Sequence, residues 1–168
     1  MRPHTNLVLI GMPGAGKSTL GVLLAKALSR PFLDTDIEIQ TREHKPLQGI
    51  IRDRGMASFK TLEENYILSL ACRGHVIATG GSAVYSDRAM RHLQKDGFLL
   101  FLDLSLPLLT RRIQDMDARG VVHAPGQALD DLYRERKPLY ERYADLRLSC
   151  DGKGHEELVR EILSSLSR

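Results

Sequence analysis

Near the start of the chain, the octapeptide Gly11-Met12-Pro13-Gly14-Ala15-Gly16-Lys17-Ser18 fills every fixed position of the pattern G-x-x-x-x-G-K-[ST]. Its flanks constrain it further. Residues 7–10 are a short apolar run of strand type. Residues 17–29 have helical spacing, with Leu20, Val22, Leu23, Leu24, Ala27 and Leu28 expected on the buried side. In a strand, a glycine-rich turn and a helix met in that order, successive backbone N–H groups and the helix N-terminus point at one spot, which suits a phosphate. The motif therefore predicts a nucleotide cradle made by Gly11, Met12, Pro13, Gly14, Ala15, Gly16, Lys17, Ser18 and Thr19. Lys17 is expected to reach the β- and γ-phosphates, and the Ser18 hydroxyl to hold Mg²⁺.

The remainder of the chain repeats the alternation. Residues 31–34, 75–79, 98–102 and 146–149 read as strands, nearly continuous in apolar character, as in a parallel sheet covered on both faces. Between them lie a polar helical stretch that stops at Gly55, a helix over 61–72, and helices near 88–94, 107–116, 129–143 and 156–166. Five strands alternating with helices predict an α/β fold, a three-layer α/β/α arrangement with a five-stranded parallel sheet. At 168 residues the chain suits a single domain over 1–168. Residues 117–127 hold Gly120, Pro125 and Gly126 without an apolar period and are expected to form a mobile loop.

Composition excludes several alternatives. The net charge is only +3, Trp is absent and the aromatics are scattered, which argues against a nucleic-acid binder. Cys72 and Cys150 have neither metal-ligand nor disulfide-framework spacing, and both are expected to be buried packing residues. The first residues lack the pattern of a secretory signal, and no apolar run approaches a membrane span, so a cytoplasmic protein without membrane contact is expected. The asparagines, Asn6 and Asn65, are not part of an Asn-Lys-x-Asp guanine-reading motif. A compact phosphotransferase remains, or a nucleotide-binding module without turnover.

Several segments then carry a family resemblance. GMPGAGKSTLGVLLAKAL, FLDTD, Gly55-x-x-x-Phe59 before Lys60 and Glu63, VIATGG and ERKPLY stand in the order found in the shikimate kinase family, over nearly the whole chain. The resemblance implies a nucleoside-monophosphate-kinase-like fold with strand order 2-3-1-4-5 and a lid over 117–127 that closes on ATP. It also implies an acceptor-binding segment over 36–63, ATP and Mg²⁺ as cofactors, a small hydroxylated acid as partner, and a monomer. The implied reaction converts shikimate to shikimate 3-phosphate in aromatic amino acid biosynthesis. Asp34 is assigned to the metal's water shell and Asp36 to the acceptor hydroxyl, as orienting group or base. The two can point the same way only if the strand has not yet turned at Asp34. Arg136 is assigned to the acid group with Lys60 beside it, and Gly80, Gly81 and Ser82 to the acceptor's flank. Arg119, within the lid, is assigned to the transferred phosphoryl group, with Arg111 or Arg112 as alternatives.

The family pattern breaks at three positions around the acceptor. Lys60 stands for an Arg and loses its bidentate fork, Ser82 stands for a third glycine, and Met56 stands for a Glu. The reaction class is unaffected by these changes, whereas the acceptor could be shikimate or a related acid such as gluconate.

Overall fold

In a computed structural model that describes residues 5–113, 116, 121–124 and 126–166, one parallel sheet organises the chain. Its strands are β1 (Asn6–Ile10), β2 (Phe32–Asp34), β3 (Val76–Ala78), β4 (Gly97–Asp103) and β5 (Leu146–Ser149), in the order β2-β3-β1-β4-β5. Every residue of β1 is buried, so both faces of the sheet centre are covered. The register places Leu7, Val8 and Leu9 beside Val76, Ile77 and Ala78 on one side, and beside Phe98, Leu99 and Leu100 on the other. Asn6 secures the start of β1, accepting from the His75 N–H at 2.9 Å and donating to the Cys72 carbonyl at 2.8 Å.

The covering helices are α1 (Lys17–Leu28), α2 (Thr35–Glu43), α3 (Leu47–Leu68), α4 (Asp87–Asp96), α5 (Leu106–Arg112), α6 (Leu129–Tyr143) and α7 (His155–Leu166), with a 3₁₀ turn at Ala83–Tyr85. In α1 the buried residues are Lys17, Leu20, Gly21, Leu24 and Ala25, while Val22 and Leu23 are exposed. The expected buried side of this helix was therefore too wide: Val22, Leu23 and Ala27 face away from the sheet. Hydrophobicity alone misplaced them, because the inward row is set by 3.6-residue spacing and by Gly21, where a side chain would run into the Phe32 ring. Gly55 does interrupt its helix, at φ 79° and ψ 161°, but helical structure resumes at once and ends at Leu68 rather than Cys72. Cys150 is buried, whereas Cys72 is only half-buried. Among the described residues no helix is long and apolar enough to cross a membrane.

Because all five strands are parallel, their C-terminal ends share one edge of the sheet. There the chain leaves β1 into Gly11, β2 into Thr35 and β3 into Thr79, and functional side chains of α/β sheets gather at such an edge.

Candidate active site

A cavity of about 540 Å³ opens at that edge. Pro13, Gly14, Gly16, Lys17, Ser18 and Thr19 form one wall, and Asp36, Gly81, Ser82 and Arg136 form another, with Leu47, Phe59, Val121 and Val122 closing it with apolar surface. Gly16 at φ 97° makes the left-handed turn into α1, and Gly14 at φ 78° precedes it, so the loop adopts a backbone suited to directing N–H groups inward. Gly11, Met12 and Ala15 lie behind the wall. The Gly11 and Met12 carbonyls accept hydrogen bonds from Lys17 Nζ at 2.7 and 2.9 Å. Burial pulls the Lys17 ammonium down to about 8, against the opposing pull of the Asp36 and Asp34 carboxylates. A cation in this position, on a glycine-rich turn, fits a polyphosphate.

The strand does turn at Asp34, so the two aspartates meet by a different route from a shared strand direction. Asp34 caps α2, its Oδ1 accepting the Asp36 N–H at 3.0 Å and the Ile37 N–H at 3.3 Å. That cap starts the helix so that Asp36 falls in its first turn, facing the cavity, while Asp34 remains buried beneath. Burial, then the neighbouring Asp34 charge, raises the Asp36 carboxyl to about 6, with Lys17 opposing. Among the described residues no cluster of three or more His, Cys, Asp or Glu could cage a metal. A magnesium ion needs no such cage, since it is commonly held through one or two protein groups, waters and substrate phosphates. Ser18, exposed on the cavity wall, and Asp34 fit that donor set.

Arg136 lies within the charge-dense helix α6, yet it is 1% exposed. Its Nε donates to Tyr85 Oη at 3.0 Å and its Nη2 donates to the Val122 carbonyl. Nη1 has no partner among the described residues and lies against Gly81 at the cavity wall. A buried guanidinium with an unpaired N–H group favours an anion there.

Other sequence expectations fall differently. Lys60 does not line the main cavity: its ammonium sits 4.2 Å from the centroid of the Tyr85 ring, the same ring that the Arg136 guanidinium approaches at 5.0 Å. Gly80 does not line it either. The Gly80 N–H donates to Thr35 Oγ1 at 3.0 Å, and its bare Cα leaves room for two carboxylates. Met56, the third departure from the family pattern, is half-buried against the core. Arg119 lies outside the described residues, as does part of the segment expected to be a lid. The described Val121 and Val122 are buried at the cavity wall instead of facing solvent. Of the alternative arginines, Arg112 reaches the phosphate loop, its Nη1 donating to the Gly14 carbonyl at 3.1 Å.

Glu63 and Tyr140 fall within the segments that carry the family resemblance but received no role from the sequence, and Tyr85 was not singled out. Glu63 is 2% exposed, and burial, reinforced by the Asp36 charge, raises it to about 7. It accepts a hydrogen bond from the Ser82 hydroxyl at 2.6 Å. Its position four residues after Phe59 and three before Tyr66, all on one helical face, was the available signal. Tyr140 stacks on Phe101 with ring centroids 5.2 Å apart and donates to the Gly81 carbonyl at 2.6 Å, fixing the turn beside Arg136.

Comparison with known proteins agrees with this geometry. The family model described as shikimate kinase matches residues 13–167. The shikimate kinase of Persephonella marina is 34% identical over 162 residues, covering 96% of this chain and 98% of that protein. The shikimate kinase of Pasteurella multocida is 36% identical, covering 97% and 95% respectively. Among solved structures, the shikimate kinase from Acinetobacter baumannii in complex with shikimate superposes with a TM-score of 0.90 at 30% identity, over 98% of this chain and 93% of that one. Sheet order, phosphate loop and sequence similarity thus agree along almost the whole length, and the chain belongs to the shikimate kinase family.

Proposed function

We propose that this protein transfers the γ-phosphoryl group of ATP to a hydroxyl of shikimate, giving shikimate 3-phosphate and ADP. The observation that carries the acceptor assignment is Arg136, a buried guanidinium with an unpaired Nη1 on the cavity wall that also holds Asp36. An acceptor bearing a carboxylate for Arg136 and a hydroxyl for Asp36 satisfies both, whereas a neutral acceptor leaves the guanidinium unpaired.

ATP phosphates lie along residues 11–18, with Lys17 at the β- and γ-phosphates. Ser18 and, through water, Asp34 would hold Mg²⁺, which would neutralise phosphate charge when bound. Asp36, raised towards neutrality, orients the acceptor hydroxyl and takes its proton as the oxygen attacks. Gly81, Ser82 and Phe59 confine the acceptor, and Lys60 adds a second positive charge beyond the Tyr85 ring. Arg119 is assigned to the transferred phosphoryl group on sequence grounds, and Arg112 to the nucleotide side. Such a transfer depends chiefly on placement and charge neutralisation. The protein acts as a cytoplasmic monomer in this reading.

The test is ADP release by the purified protein with MgATP and either shikimate, gluconate or no acceptor. Saturable release with shikimate is expected. Turnover restricted to gluconate would reassign the acceptor and attribute the change to Lys60, Ser82 and Met56.

A further inference from the structure

Glu63 is a buried acid that the transfer chemistry above does not use. Its Oε2 is occupied by the Ser82 hydroxyl, but its Oε1 has no hydrogen-bond partner among the described residues. A buried carboxylate oxygen without a donor is costly, more so when the group is charged. What lies near it is another acid. A Cβ built on Gly80 would sit 2.3 Å from Glu63 Oε1 and 2.5 Å from Asp36 Oδ1, so the two oxygens are less than about 5 Å apart. Two buried carboxyl groups that close disfavour each other's ionisation, so one of them keeps its proton to a higher pH. Glu63 does not line the main cavity. It faces a second cavity of about 170 Å³ behind it, while Ser82 lines both.

We propose that Ser82 and Glu63 form a positioning pair for Asp36: the Ser82 hydroxyl fixes Glu63, whose Oε1 carries a proton and donates it in a hydrogen bond to Asp36 Oδ1. The inference rests on the reading of Asp36 as the group that meets the acceptor hydroxyl. It gives each polar atom a partner. Ser82 Oγ donates to Oε2, Oε1 donates to Asp36, and the other Asp36 oxygen is left for the acceptor. The serine at position 82, where the family pattern has a glycine, then anchors the Asp36 base through Glu63. The charged and titratable groups acting on Glu63 are Asp36 on α2, Lys60 on α3, Arg136 and Tyr140 on α6, and Lys17 on α1. Glu64, its chain neighbour, is engaged by Ser86 and Arg88. Burial, the largest influence, favours the protonated form that the pair requires.

Glu63→Gln, Glu63→Met and Ser82→Ala separate the possibilities. Gln retains a donor for Asp36 and an acceptor for Ser82, whereas Met keeps the bulk and loses both. At pH 6.5 Glu63→Met should lower kcat at least tenfold with KM for ATP unchanged, Glu63→Gln should restore it to within about threefold of wild type, and Ser82→Ala should fall between. As pH rises past about 7, wild-type kcat should decline as Glu63 loses its proton, and Glu63→Gln should not follow that decline. Equal damage in the Gln and Met variants, or identical pH profiles for wild type and Glu63→Gln, would overturn the proposal. Melting temperatures and ATP binding check that each variant is folded. Infrared spectroscopy of the protein without acceptor supplies an independent readout: a protonated-carboxyl band titrating near neutrality in wild type and missing from Glu63→Gln. Absence of that band in wild type overturns the pair whatever the acceptor, while failure of wild type to turn over shikimate overturns only the functional reading.

Discussion

Gly80→Ala is the smallest change that bears on the geometry of the acceptor site. The added methyl group would lie 2.3 Å from Glu63 Oε1 and 2.5 Å from Asp36 Oδ1, whereas an ordinary contact begins at 3.4 Å. Each carboxyl group must therefore retreat by about 1 Å, and a misplacement of that size at a reacting group costs on the order of 100-fold in rate. Stability should suffer less. The obstructing atoms are ends of side chains that can rotate, so the overpacking falls at the lower end of the usual 1–3 kcal/mol, or about 2–4 °C in Tm for each kcal/mol in a chain of this size. Gly80 has no left-handed backbone to strain. The assay is kcat with saturating acceptor and MgATP, alongside thermal melting and ATP binding. A kcat reduced by about 100-fold with ATP affinity preserved is expected. A variant within threefold of wild type would refute the claim that Gly80 is bare to let Asp36 and Glu63 converge.

Three further outcomes follow from the same contacts. Arg136→Lys keeps a charge but loses the fork and the unpaired Nη1, so KM for the acid should rise about 10–100-fold, the worth of one charged hydrogen bond, with a KM change below twofold counting against a carboxylate there. Because Asp36 must be ionised to accept a proton and is raised to about 6, kcat/KM should fall as pH drops through about 6, and a profile flat to pH 5 would contradict that role. Glu63, with a folded-state value near 7 against an ordinary 4.5, stabilises the fold in its neutral form below pH 4.5, and that contribution is lost as pH rises through 7. Glu63→Gln should therefore melt at a higher temperature than wild type at pH 8, by up to about 3 kcal/mol in stability, and show no such advantage at pH 4.5, as differential scanning calorimetry can measure.

The phosphate loop and the sheet order were legible because each rests on local pattern: a fixed motif in one case, apolar runs separated by helices and a family resemblance in the other. The inward face of α1 was less legible, since Val22 and Leu23 are as apolar as Leu20 and Leu24, and only the packed position of the helix tells them apart. Without the family resemblance, which assigns it to the acid group, Arg136 would read as one more charge on a solvated helix, because its burial depends on Tyr85 and Val122, 51 and 14 residues away in the chain. Lys60 was expected beside the acid group, but its ammonium settles on the Tyr85 ring, a contact that no spacing rule anticipates. The Ser82–Glu63 hydrogen bond spans 19 residues, and Ser82 stood out in the sequence only as a departure from a glycine.

The most direct measurement is phosphorus NMR of a reaction containing the protein, MgATP and shikimate. The account predicts one new phosphomonoester signal coupled to the 3-position of the acid, growing in step with ADP and abolished in Asp36→Asn. Formation of ADP with inorganic phosphate alone, or an undiminished monoester signal from Asp36→Asn, would contradict it.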